Sequence, residues 1–184
     1  MELLQAIRER RSIRKYKTTA VSEEQLNTVL EAARWAPSWA NTQCWSFVVV
    51  RDNETKERLG DTLSSVNPAT AAIKSAPIVI VACAQQERSG YYKGAPVTDK
   101  GDWFMFDVAL AMQNLTLAAH GLGLGTVHVG YFDAAKAAQI LEVPEGIAVV
   151  EMTPLGHPED QPAAPRRKEL SEFVFYEKYG QVKS

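Results

Sequence analysis

Two cysteines in 184 residues, Cys44 and Cys83, are too few and too far apart for a zinc-binding pattern. They do not form a disulfide framework either, so a reduced, cytoplasmic protein is the simpler expectation. No apolar run reaches the length of a membrane span. The first residues run straight into charge without the apolar core of a secretion signal. Formal net charge is only −2, so bulk electrostatics favour neither nucleic acid nor an anionic membrane surface. There is no low-complexity stretch, internal repeat or interdomain linker, and 46% of residues are hydrophobic. Residues 1–184 therefore read as one folded domain with a sizeable core. Also absent are a Ser-His-Asp order, a paired-carboxylate motif and any metal-ligand spacing.

What is present is local. Three arginines and a serine lie within Arg10-Arg11-Ser12-Ile13-Arg14. Arginine presents a planar fork of donors that matches phosphate and carboxyl-like oxygens, and serine adds a short hydroxyl donor. The cluster can cradle an anion. It can equally be a solvated basic helix end, where cations suit the helix dipole.

The coarse order mixes helices and strands. Leu3, Leu4 and Ile7 have helical spacing and predict a short first helix ending at the arginines. Ser22 and Gln25 form a capping-box pattern ahead of Leu26, Val29, Leu30 and Ala33. Pro37 should stop that helix near Ala36. Ser38 to Gln43 then reads as a loop and Ser46 to Val50 as a buried strand. Asp52 or Asn53 should cap a helix through Leu59 and Leu63. Pro77 to Ala82 predicts a strand covered on both faces. Gln85 to Gly101 is polar and reads as an exposed loop or lid. Asp102 to His120 predicts the longest helix, apolar on several faces and so buried or shared with a partner. Thr126 to Val129 is a short strand, Asp133 a cap for a helix through Ile140, and Ile147 to Thr153 another strand. The apolar Phe173 to Tyr176 segment is expected to dock on its own chain or on a neighbour's sheet edge. This order gives an α+β, or mixed α/β, fold class.

A second stretch gives the arginine cluster its meaning. Ala36-Pro37-Ser38-Trp39-Ala40-Asn41-Thr42-Gln43-Cys44-Trp45 follows the cluster. Arg-Arg-Ser-x-Arg and then Ala-Pro-Ser-x-x-Asn-x-Gln-x-Trp together resemble the FMN-dependent nitroreductase family. The segments from Gly123 to Asp133, Pro154-Leu155-Gly156 and the late Arg167-Lys168 pair fit the same resemblance, which covers nearly the whole chain.

The resemblance implies a central mixed sheet flanked by helices, in an intertwined homodimer with FMN at the subunit interface. It implies that Arg10 lies near the FMN phosphate, with Arg11 alongside, and that Ser12 and Arg14 lie nearer the ribityl chain and pyrimidine edge. A fixed cation at that edge stabilises the reduced flavin. Pro37, Ser38, Trp39 and Asn41 match the loop contributed by the other subunit, and Gln43 belongs to the same motif. Taken alone, this stretch is a helix-ending turn with ordinary turn hydrogen bonds. Cys44 departs from the family, where proline is usual. Nothing nearby in sequence marks its thiol as activated.

Gly121-Leu122-Gly123-Leu124-Gly125 is not a dinucleotide-binding fingerprint, because a helix precedes it and an extended segment follows. The resemblance instead sets Thr126, Val127, His128 and Gly130 along the flavin, mainly through backbone groups. A lone histidine such as His128 is more often structural. Arg167 and Lys168 match the pair that holds the FMN phosphate, with Arg166 as an alternative; otherwise they are a solvated charge run. Trp103 and Phe104 shape the substrate pocket or pack in the core.

The implied activity is an FMN-dependent oxidoreductase using NADPH or NADH to reduce nitroaromatics, quinones or similar acceptors by ping-pong hydride transfer. The alternatives are an FMN-binding or redox-sensing protein without efficient turnover, and other reductive chemistry on the same scaffold, including dehalogenation and flavin fragmentation. No partner beyond a second copy and small molecules is expected.

Overall fold

The structure is a computed structural model that describes residues 2–182. It is built on a sheet of four antiparallel strands: β1 (Trp45–Val50), β2 (Ile78–Gln85), β5 (Gly125–Thr126) and β6 (Ile147–Gly156), in the order β1-β2-β6-β5. A two-stranded hairpin, β3 (Tyr91–Tyr92) and β4 (Ala95–Pro96), stands apart from it. The helices are α1 (Leu3–Glu9), α2 (Glu23–Arg34), α3 (Asn53–Gly60), α4 (Thr70–Ser75), α5 (Phe104–Gly121) and α6 (Ala134–Ile140).

β2 shows why a continuous apolar run was needed. Its side chains alternate between two cores, as the pleat requires. Ile78, Ile80, Ala82 and Ala84 face the cluster formed with Val29 and Ala33 of α2 and Val108, Met112 and Leu115 of α5. Val79, Val81 and Cys83 face the other cluster, with Leu59 of α3, Ile73 of α4 and Ala137 of α6. Both faces of β2 are thus dry, although the four named strands pair antiparallel.

The capping signals act as expected. The Ser22 hydroxyl accepts from Gln25 N–H at 3.1 Å while the Gln25 side chain accepts from Ser22 N–H, also at 3.1 Å. Asp52 and Asp133 accept from Thr55 and Lys136 N–H at 2.7 and 3.0 Å.

Three expectations need adjustment. β1 is an edge strand and mostly half-exposed, because only β2 pairs with it. The helix after Asp52 ends at Gly60, so Leu63 lies beyond it, bridged to Phe132. The segment 85–101 is mostly exposed, as expected, but it carries the short β3–β4 hairpin, and its Ser89 and Gly90 are buried. α4 carried no sequence signal that set it apart.

The apolar stripe of α1 does not face this chain's core. Leu3, Leu4 and Ile7 are 65%, 65% and 50% exposed, and only Ala6 is buried. Met105 and Phe106 of α5, and Leu170 and Phe173 of the tail, are also more than half exposed. Within the tail, Phe175 packs on Tyr179 with ring centroids 4.7 Å apart.

Candidate active site

After α1 the chain turns outward at Arg10 and then runs in extended form beside β5. Ile13 N–H donates to Thr126 O at 2.9 Å, and Ser12 is bridged to Thr126 in parallel. This pairing is possible only because position 125 has no side chain. A Cβ on Gly125 would stand 2.6 Å from Ile13 Cγ1 and 2.7 Å from its Cβ. Ile13 itself is buried, with Tyr16 and two alanines of the α4 region. The apolar residue between the arginines therefore anchors the cluster to the core while Ser12 and Arg14 turn outward.

The cluster faces a cavity of about 280 Å³ lined by Arg10, Arg11, Ser12, Arg14, Pro162, Ala163, Pro165 and Arg167. The long polar segment after β6 supplies its far wall, bringing Arg167 to the N-terminal arginines from the other end of the chain. Lys17 N–H donates to His157 O and Glu159 N–H donates to Lys15 O, both bonds holding that segment against the N-terminal arm. Lys168 is exposed and does not line the cavity.

Three features suit this cavity to an anion. Arg10 Nη1 is buried and has no hydrogen-bond partner among the described residues. A buried guanidinium donor left unsatisfied is costly. Second, burial first, and then the charges of Arg11 and Arg167, lower the pKa of Arg10 below its ordinary value. Cations crowd together on this side, and the carboxyl groups of Glu9, Glu159 and Asp160 line the adjoining cavity instead. Third, Arg11 folds back onto the Arg8 and Arg10 carbonyls at 2.7 and 2.9 Å, and Arg14 lies 3.5 Å from Ser12 O. Arg10 is thus the guanidinium with an unused, sheltered donor.

A larger adjoining cavity of about 390 Å³ shares Arg10, Arg11 and Thr126 and includes Ile13, Leu124 and His120. His120 Nε2 is also buried without a partner. Its pKa is lowered, by burial first, with Arg10 and Arg11 adding and Glu9 opposing. A neutral imidazole beside two arginines offers either a donor or an acceptor to a ligand. No local signal selects His120, since it closes a helix far along the chain from the arginines.

The segment 126–130 runs through the middle of the fold. Thr126, Val127 and Val129 are buried, so their side chains serve the core and only backbone groups are available to a ligand. Val127 O is already engaged by the Thr153 hydroxyl at 2.8 Å. His128 points out of the core and pairs with Glu151 at 2.8 Å. Gly130 is exposed.

The Pro37–Gln43 loop lies elsewhere. It forms a short 3-10 turn at Trp39–Asn41, packed on the start of α5 through Trp39 N–H and Asp107, 2.9 Å apart. Arg10 and His120 lie at the other end of α5. From position 107 to 120 at 1.5 Å per residue, the two ends are about 20 Å apart. Within one chain the two motifs do not meet. Cys44 is buried under the loop, and its thiol pKa is pushed up to about 12, by burial first and then by the charge of Asp107. It is an inert, protonated thiol.

Residues 7–157, which carry every one of these elements except the last wall, match the nitroreductase family. The chain belongs to that family. A Methanothermobacter thermautotrophicus protein with the provisional name NADH dehydrogenase/NAD(P)H nitroreductase is 34% identical over 166 residues, covering 88% of this chain and 80% of its own. The Bacillus subtilis FMN reductase (NAD(P)H) is 29% identical over 177 residues, covering 88% of this chain and 68% of its own. The crystal structure of a nitroreductase family protein from Clostridium novyi superposes with a TM-score of 0.80 at 29% identity, covering 98% of this chain and 97% of that one. The nitroreductase fold is therefore shared end to end. Among the described residues no helix is long and apolar enough to cross a membrane.

Proposed function

We propose that this nitroreductase-family chain is an FMN-dependent oxidoreductase that takes electrons from NADPH or NADH and passes them to an electron-poor acceptor such as a nitroaromatic or a quinone. The observation that carries this reading is the sheltered, unpartnered Arg10 Nη1 in an arginine-lined cavity. A phosphate would satisfy that donor and offset the crowded charge. Arg10 and Arg167 would hold the phosphate, and Ser12 would donate its hydroxyl to the cofactor chain. Arg14 would set a cation at the pyrimidine edge and favour the reduced form. Bound FMN would supply the hydride chemistry between NAD(P)H and the acceptor. Arg11, tied to backbone carbonyls, stiffens the helix end that presents Arg10.

The chain is inferred to act as a homodimer. The loop 37–43 and the arginine cluster lie at opposite ends of α5, so one cofactor could touch both only if the loop came from a second copy. The exposed apolar faces of α1, of Met105 and Phe106 and of the tail give such a copy a surface to cover. Cytoplasmic residence follows from the same reading, since both electron donors and reduced thiols belong there.

The test is direct. Protein loaded with FMN and freed of excess is mixed with NADPH, then NADH, without oxygen, and menadione or a nitroarene is added afterwards. Rapid loss and return of the yellow colour is expected, with a molar mass in solution twice that of the chain. A protein that retains no FMN, or whose flavin neither donor reduces, overturns the reading.

A further inference from the structure

Asp107 is fully buried in the first turn of α5, yet lies on neither arginine-lined cavity. Its carboxylate gathers donors from two separate segments. Oδ1 accepts from Trp39 N–H at 2.9 Å. Oδ2 accepts from the Ser89 hydroxyl at 2.7 Å, from the Thr42 hydroxyl at 3.3 Å and from the Cys44 thiol at 3.5 Å. Three of these donors belong to the loop after α2 and the fourth to the β3–β4 hairpin region. An ionised carboxylate is an acceptor only, and here one donor meets Oδ1 while three crowd on Oδ2.

The loop so held follows an unusual course. Ala40, Asn41 and Gln43 have φ of 42°, 55° and 46°, in the left-handed region that side chains with a Cβ seldom enter. Inside the loop, Gln43 N–H donates to the Ser38 hydroxyl at 2.9 Å, and Gln43 Nε2 donates to Asn41 Oδ1 at 3.1 Å. Those bonds stabilise the curl locally but do not attach it to the fold. On the hairpin side, Trp103 N–H donates to Ser89 O at 3.0 Å, and the Trp103 ring lies 5.2 Å from that of Trp39 and 5.4 Å from that of Phe106. Loop and hairpin thus meet at one buried carboxylate and one aromatic stack.

We propose that Asp107 is a positioning residue whose carboxylate sets the left-handed course of loop 38–44 and locks that loop to the 89–97 hairpin segment, making them one unit. Its functional consequence rests on the flavin reading above: the loop would face a partner's cofactor and the hairpin would wall the acceptor side. Its structural content does not depend on that reading. The negative charge matters because an amide in its place presents an NH₂ group to hydroxyls that were donating. Asp107→Asn keeps the volume and one acceptor but cannot serve all four donors.

The experiment is hydrogen exchange on the apoprotein, with FMN titration alongside, for wild type, Asp107→Asn and Ser89→Ala. Asp107→Asn should speed exchange about tenfold in peptides covering 38–44 and 89–97 while those of α2 and β2 stay at wild-type rates. Ser89→Ala should speed exchange only in the hairpin and leave the Trp39 amide within about twofold of wild type. In the FMN arm, Asp107→Asn should raise the Kd about tenfold. Loop and hairpin exchange that does not change in Asp107→Asn, or that rises equally throughout the core, overturns the proposal. If Asp107→Asn does not fold, Ser89→Ala decides: a hairpin that loosens alone supports the lock, and an unchanged hairpin overturns it. Wild type that binds FMN while Asp107→Asn binds it equally well refutes the cofactor consequence. Wild type that binds no FMN overturns the functional reading instead, and the exchange arm still decides the lock.

Discussion

Gly125→Ala tests how the arginine cluster is held. The new methyl carbon would stand 2.6, 2.7 and 2.9 Å from Cγ1, Cβ and Cγ2 of Ile13, the branch point of a stiff β-branched side chain. No flexible chain end can swing aside, and Ile13 is only 5% exposed, so the arm itself must move. Overpacking of this kind costs roughly 1–3 kcal/mol. At about 2–4 °C per kcal/mol for a chain of this size, the melting temperature should fall by about 2–12 °C. The arm also carries Ser12 and Arg14, and its Ile13 N–H to Thr126 O bond would lengthen, so FMN affinity should drop with stability. A double-mutant cycle isolates the cause. Ile13→Ala alone leaves a cavity, and in Gly125→Ala/Ile13→Ala the two Cγ contacts are gone while the 2.7 Å approach of the two Cβ carbons remains, so the strain is relieved in part. Urea unfolding of the four proteins should therefore give a coupling energy of about 0.5–3 kcal/mol in favour of the double variant. Additive losses, or a Gly125→Ala protein as stable as wild type, would refute the close-approach explanation.

Three further outcomes follow from other parts of the fold. Adding inorganic phosphate should raise the melting temperature of the apoprotein, and Arg10→Gln should abolish that rise while weakening FMN binding by roughly tenfold to a hundredfold, the range for a charge-assisted hydrogen bond of about 1.5–3 kcal/mol. Calorimetry with and without phosphate checks both. The Cys44 thiol has a folded pKa raised to about 12, so its stabilisation is complete below the ordinary thiol pKa and is lost as pH rises from about 9 toward 12. Urea midpoints should thus decline across that window by at most about 1.4 kcal/mol per pH unit from this one group, and Cys44→Ala should flatten the decline. Ser22→Ala removes one side of the capping box and should cost about 1 kcal/mol in chemical denaturation without altering FMN binding.

Much of the fold was legible because its signals are local. Ser22, Asp52 and Asp133 each cap the helix that their sequence context indicated, since a cap needs only neighbours two or three residues away. Pro77 to Ala82 was readable as a strand covered on both faces from its unbroken apolar run. The exposed stripe of α1 was readable as a helix but not as a surface, because periodicity reports which face is apolar and not what lies against it. The hairpin within 85–101 was hidden by its polar composition. Ser89 reads as one more loop serine until the fold closes it over Asp107.

The sequence by itself determined the local elements and set out the two motifs, the arginine cluster and the Pro37–Gln43 loop, whose residue types suit anion binding and a tight turn. Only the tertiary structure decided how those motifs relate. It brought Arg167 to Arg10 from the far end of the chain and left Lys168 outside. It placed the loop about 20 Å from the cluster along α5. It also buried Asp107 and the Nε2 atom of His120, on two polar residues in an apolar helix that nothing local distinguished. The physical reason is that burial and hydrogen-bond satisfaction are properties of the packed molecule. A guanidinium without a partner, or a carboxylate with four, exists only once distant segments have been brought together and water has been excluded.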